Sequence, residues 1–321
     1  MRHHSLLVLA AIAMLPLSSP AFAQNAATTA LRAEPIAEET GLRVTLGDVT
    51  DSRTTGKHFA RLEVELKTEG DQLQQAFGAV KPVITAAVDD TGRSLLKTDK
   101  QPDPMFWGFE IMEKTRTSLD DRVEMLNPAR RATSVSFAGY VDVLYPARDP
   151  SATYVVKDVL AQAGKPLLPE SFRQAGMEIS LLTKPLADKM KQEQEVAKAA
   201  AEAAKKSGNV AADASKVMGE AFGKMFQTMF SGFFSMGDND LLFVIKDPKQ
   251  QIAFLQVEDA AGVPIKSGGG RSMSRDEQEG MVRYSVSYSS ALPAGAALKI
   301  YFATPKSLQR IPFKFESQRL P

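Results

Sequence analysis

Histidine is the side chain that titrates near neutral pH, and beyond residue 23 this chain carries only His58. A serine or thiol nucleophile needs a base within hydrogen-bond reach. Cysteine is absent, no G-x-S-x-G elbow occurs, and Thr54-Thr55-Gly56-Lys57-His58 reads as a loop entering a strand. The residues therefore predict no catalytic group and a non-enzymatic protein. One histidine without cysteines also excludes zinc spacing. Asp89 and Asp90 offer oxygens that calcium could use, but Asp89-Asp90-Thr91-Gly92 is also what a strand-connecting turn needs for its own hydrogen bonds and positive φ. No further acidic residue stands at ligand spacing, so the expectation is a structural turn, with no metal and no cofactor. Ser267-Gly268-Gly269-Gly270-Arg271-Ser272 lacks the spacing of a phosphate loop and opens no helix, so it is read as a flexible hairpin loop.

Two apolar clusters remain as candidate binding groups. Phe106, Trp107 and Phe109 follow Pro102 and Pro104 and include the chain's only tryptophan; on a loop they would stack on a sugar or grip an apolar ligand. On a strand, Met105, Trp107, Phe109 and Ile111 would fill one core face, the favoured reading at period two. The second cluster is denser: between Met218 and Met236, nine of nineteen residues are Met or Phe. At 100° per residue, Met218, Phe222, Met225, Phe226, Met229, Phe230, Phe233 and Phe234 fan across about half of a helix circumference. Three occupants compete for this face: the chain's own core, another protein or a second copy, and a membrane surface. The last is disfavoured because the polar strip has little Lys or Arg.

The elements that would hold these groups are mostly strands. Leu42 to Leu46, Leu62 to Lys67, and Pro82 to Val88 alternate or run apolar between turn signals, as do Val135 to Tyr145 and Tyr154 to Lys157. Met177 to Leu182, Leu241 to Ile245, Ile252 to Val257, Val282 to Tyr288, Ala297 to Phe302 and Ile311 to Phe315 repeat the series. Val141-Asp142-Val143-Leu144-Tyr145 with Lys157 matches Leu298-Lys299-Ile300-Tyr301-Phe302 with Lys314 at one constant offset, and Glu258-Asp259-Ala260-Ala261-Gly262 echoes the turn at Asp89. Short strands without intervening helices predict a mainly β chain of two tandem immunoglobulin-like antiparallel sandwiches, over 41–163 and 177–321, joined by a linker at 164–176. The second carries an insertion at 186–236. Its first part is rich in Ala, Lys, Glu and Gln, Ser207-Gly208-Asn209 breaks it, and its second part holds the Met/Phe face, so a helical hairpin is expected.

Arg2, the apolar run Leu6 to Leu15, Pro16, and Ala21-Phe22-Ala23 before Gln24 read as a cleaved signal peptide over 1–23, followed by a leader over 24–40. No cysteine is available for a lipid anchor, and no later run reaches the roughly 20 apolar residues of a membrane span. A periplasmic protein is the expectation. Without Arg2 the 39 basic residues become 38, equal to the 38 acidic ones, a balance that gives nucleic acid no purchase. The reading is a binding or assembly module of the cell envelope that meets a partner or itself through the Met/Phe hairpin. The alternative is a carbohydrate- or peptide-binding protein using the Trp107 cluster or the groove between the sandwiches.

Overall fold

The structure, a computed structural model, describes residues 41–52, 61–97, 109–111, 115–207, 236–276 and 280–321. It is mainly β. The first half contributes β1 (Arg43–Ser52), β2 (Arg61–Glu69), β3 (Gly78–Val80), β4 (Val83–Asp89), β5 (Phe109–Ile111), β6 (Ser118–Met125), β7 (Ser134–Leu144) and β8 (Thr153–Val156). The second begins with a short helix, α1 (Glu170–Gln174), then β9 (Glu178–Thr183) and a long helix, α2 (Lys184–Ser207). It continues with β10 (Asp240–Lys246), β11 (Ile252–Glu258), β12 (Arg271–Asp276), β13 (Met281–Ser287), β14 (Ala297–Phe302) and β15 (Leu308–Arg319). Every strand pairing is antiparallel, in four sheets ordered β1-β2-β6, β15-β7-β3-β5 with β4 also on β7, β12-β13-β10-β9, and β11-β14-β8.

Alternation explains each strand. In β2, Leu62, Val64 and Leu66 are buried while Arg61, Glu63, Glu65 and Lys67 face outward. The outward residues pair with charges on β6, Arg122 with Glu63 at 3.4 Å and Arg61 with Glu124 at 3.1 Å, the cross-strand equivalent of helix ion pairs. Two large cores result. One joins Leu62, Val64 and Leu119 to Phe137, Val141 and Phe313, and so lies between the first two sheets. The other joins Ile179, Leu181 and Phe243 to Leu255, Leu298 and Ile300, between the last two.

The sequence places Tyr154 to Lys157 in the first unit and Ile311 to Phe315 in the second, yet each closing strand pairs with the opposite half. β8 lies against β14, with Tyr154 opposite Ile300, and β15 lies against β7 over ten residue pairs, with Ile311 opposite Val141. Local pattern determines which face of a strand is apolar but not which neighbour completes its ladder. The exchange passes through adjacent turns. Pro146 and Pro150 end the extended run after β7, and the Tyr145 N–H donates to the Ser307 carbonyl at 2.7 Å. Docking of β15 also needs Gly139 in β7, where a Cβ would stand 2.1 Å from the Val83 carbonyl oxygen and 2.8 Å from the Phe313 ring.

A third, smaller core closes the junction. Val80, Leu144, Ala253, Phe254, Tyr301 and Leu308 are all buried there, with Phe77 stacked on Tyr301 at 3.9 Å and meeting Phe254 edge-on at 5.9 Å. Each large side chain so covered contributes about 1.5–3 kcal/mol before the entropy of ordering it is counted.

α2 leaves the sheet at its margin. Leu186 packs against Gly164 at the foot, whereas every described side chain from Lys191 to Ala200 is exposed and Val196 is 64 % exposed. Twenty-four residues give this arm a length of about 36 Å. It forms where the first part of the hairpin is expected; the expected second part lies outside the described residues. Among the described residues, no helix is long and apolar enough to cross a membrane.

Candidate functional site

The Met/Phe residues Met218, Phe222, Met225, Phe226, Met229, Phe230, Phe233 and Phe234 lie outside the described residues, as do His58, Phe106 and Trp107. Phe109 is described: it starts β5 and pairs with Val80 of β3 at the margin of its sheet. Ile111, at the other end of β5, is 38 % exposed, and it lines a cavity of the molecule's described part.

That cavity, about 220 Å³, opens where β11 and β12, both marginal strands, let their two sheets part. One wall is Phe243, Tyr284 and Val286; the facing wall is Leu255, Val257 and Leu298. A bulge between Ile252 and Phe254 produces this lining. The extra residue moves Leu255 and Val257 to the inner face together with Ile252, and sends Phe254 to the junction beside Phe77. Ile265, on the connection to β12, covers one end, and Ile111 brings the first half to the rim. The cleft is thus a seam between the halves as well as between two sheets.

Its charged groups, Arg271 and Lys266, are of one sign, and the Gln256 amide and the Tyr284 and Tyr288 hydroxyls are its neutral polar groups. Arg271, the first residue of β12, is exposed at the mouth, donates from Nε to Ser267 Oγ at 3.2 Å, and holds its guanidinium 5.9 Å from the Phe254 ring. Lys266 stands exposed nearby, and no acidic side chain lines the cavity. Tyr284 and Tyr288 stay neutral: burial raises both phenols, Tyr288 to about 12, against a smaller pull downward from the Arg271 charge. Such a site can bind and orient a molecule. It offers no nucleophile paired with a base.

The other expected sites are used for structure. Asp89 Oδ1 accepts from Thr91 N, Thr91 Oγ1 and Arg93 N at 2.7–2.9 Å, and Oδ2 accepts from Ala129 N at 2.8 Å. Burial pushes this carboxyl up, but the four donors outweigh it and hold it at about 2. Asp90 accepts from both the N–H and the hydroxyl of Thr133, and Asp259 repeats the turn by accepting from Ala261 N and Val263 N. Among the described residues, no group of three or more His, Cys, Asp or Glu is placed to hold a metal ion. The glycine loop is a strand extension: Gly269 N donates to the Ser287 carbonyl and Ser287 N to that of Gly270.

Sequence reasoning missed two features of the exchange. Asp142, 1 % exposed at the side chain, takes a two-pronged pair from Arg310 at 2.8 and 3.0 Å across the β7–β15 ladder, with the guanidinium 3.6 Å above the Tyr140 ring. The signal was a carboxylate inside the apolar run Val141 to Tyr145. At the crossover, Asp149 accepts from Ser151 and from Thr304 Oγ1, and Thr304 shares its hydroxyl with buried Ser307, so residues of both halves are tied together. Compared with known proteins, the chain matches no family model, no curated protein and no solved structure.

Proposed function

We propose that this chain is an exported, non-enzymatic binding or assembly module of the cell envelope. In this reading it works in the periplasm as two immunoglobulin-like sandwiches, and the segment 186–236 is a helical hairpin that meets another envelope protein or a second copy. The observation that supports it most is the projecting α2 arm, whose described side chains beyond Lys191 are exposed, including Val196 at 64 %. An exposed arm of this length does little for its own sheets, and in the sequence it precedes the Met/Phe run. Phe226→Ser with Phe230→Ser is expected to reduce self-association or partner capture at least tenfold while the thermal transition of the sandwiches stays in place. Unfolding of the second half with no change in association would count against the reading.

A second reading, a carbohydrate- or peptide-binding protein that uses the groove between the halves, draws support from the seam cleft, where Ile111 of the first half meets the walls of the second. Titration with glycans and short peptides, followed by calorimetry, separates it from the first.

A further inference from the structure

We infer that the seam cleft binds a slender apolar group of up to about seven carbons attached to a carboxylate or a similar single anionic head, the apolar part held between the sheets. The inference rests on the groove reading's site and goes beyond its carbohydrate or peptide ligands.

Size comes first. A water's share of liquid volume is about 30 Å³ and a methylene takes a similar space, so the cavity of about 220 Å³ admits about seven such groups and no drug-sized body. Its apolar walls come from the two facing sheets, where Phe243, Leu255, Val257, Val286 and Leu298 present carbon only. The neutral polar groups of the lining are the Tyr284 and Tyr288 hydroxyls and the Gln256 amide, fewer than the ring of hydroxyls of a buried sugar would need. Charge selects the end group. Arg271 and Lys266 flank the mouth, neither has a carboxylate partner among the described residues, and the lining carries no acid. A guanidinium presents paired donors that match a carboxylate. The same chemistry can come from a fatty acid or from the C-terminal leucine or methionine of a peptide, and the two are told apart below.

The test is calorimetric titration of the whole chain with octanoate, octanol, shorter and longer fatty acids, and a leucine-terminated tripeptide with its carboxylate free or amidated. Octanoate is expected to bind about tenfold more tightly than octanol at low salt. Affinity should rise about fourfold per methylene up to eight carbons and level off beyond, as expected for apolar burial in a slot of fixed length. Arg271→Met with Lys266→Gln should bring octanoate down to the octanol value and leave octanol unchanged; both positions are exposed, so the fold tolerates the exchange. Ile265→Trp, which narrows the slot, should weaken both ligands at least tenfold. Tighter binding of the free tripeptide than of octanoate, lost on amidation, upholds the inference and makes a peptide the source. Equal binding of octanoate and octanol, no dependence on chain length, or no binding of either overturns it. If glycans or amidated peptides alone bind, the groove reading survives and this ligand class does not.

Discussion

Asp89 shows how much one side chain can fix. It is 3 % exposed, and both carboxylate oxygens are occupied by donors that close its turn and tie it to Ala129. Removing several charge-assisted bonds at once is expected to cost about 2–3 kcal/mol, so Asp89→Ala should lower the urea midpoint clearly while Asp90→Ala, at an exposed carboxylate, should lower it much less. The same geometry gives a pH dependence. The folded carboxyl sits at about 2, below its unfolded value near 4, so its contribution is complete above pH ~5 and is lost as pH falls towards 2. The stability difference between wild type and Asp89→Asn, measured by denaturation at pH 7, 4 and 3, should shrink in that order. The Asp142–Arg310 pair makes an asymmetric prediction. Arg310→Ala takes a two-pronged guanidinium from a carboxylate 1 % exposed, whereas Asp142→Ala leaves a guanidinium that is 21 % exposed and can turn to water, so the first should cost more, by about 1 kcal/mol or above. Asp89 was legible from sequence because its turn is local. Arg271 and Lys266 were not, since they sit in a glycine-rich stretch and acquire meaning only when Phe243, Leu255 and Ile111 arrive from distant segments.

Strands were recognised by their own alternation and misassigned by their partners. Nothing in Tyr154-Val155-Val156 distinguishes β14 from β7 as a neighbour, because both present the same repeated pattern, Leu298 to Phe302 and Val141 to Tyr145. What does distinguish them is nonlocal: Gly139 makes room for Phe313, and the prolines at 146 and 150 redirect the chain. Removing residues 308–321 should therefore unfold the first half, although those residues are the last of the second. Loss of protection at Val64 and Phe137 in hydrogen exchange would register it, and full protection there would contradict it. The arm is the opposite case. β9 and β10 are antiparallel neighbours with Thr183 opposite Leu241, so the ends of the insertion return to adjacent positions and a short Gly/Ser turn can replace residues 186–236. The shortened chain should keep one cooperative transition within a few degrees of the full one. A broad or split melt would show that the arm stabilises its sheet.

At the scale of the whole molecule, the exchange and the junction around Phe77, Phe254 and Tyr301 make independent unfolding of the halves unfavourable, since separating them exposes two ladders and a core together. Calorimetry should give a single transition with matching calorimetric and van't Hoff enthalpies. A double body joined by exchanged strands and carrying the exposed α2 arm suits a role in which the body holds position and the arm makes contact. That is the central claim, and fluorescence-detected sedimentation tests it most directly, with labelled full-length and shortened chains run alone and in envelope extract. The account predicts a larger species for the full chain in at least one of the two conditions and a monomer for the shortened chain in both. Identical sedimentation of the two chains in both conditions would contradict it.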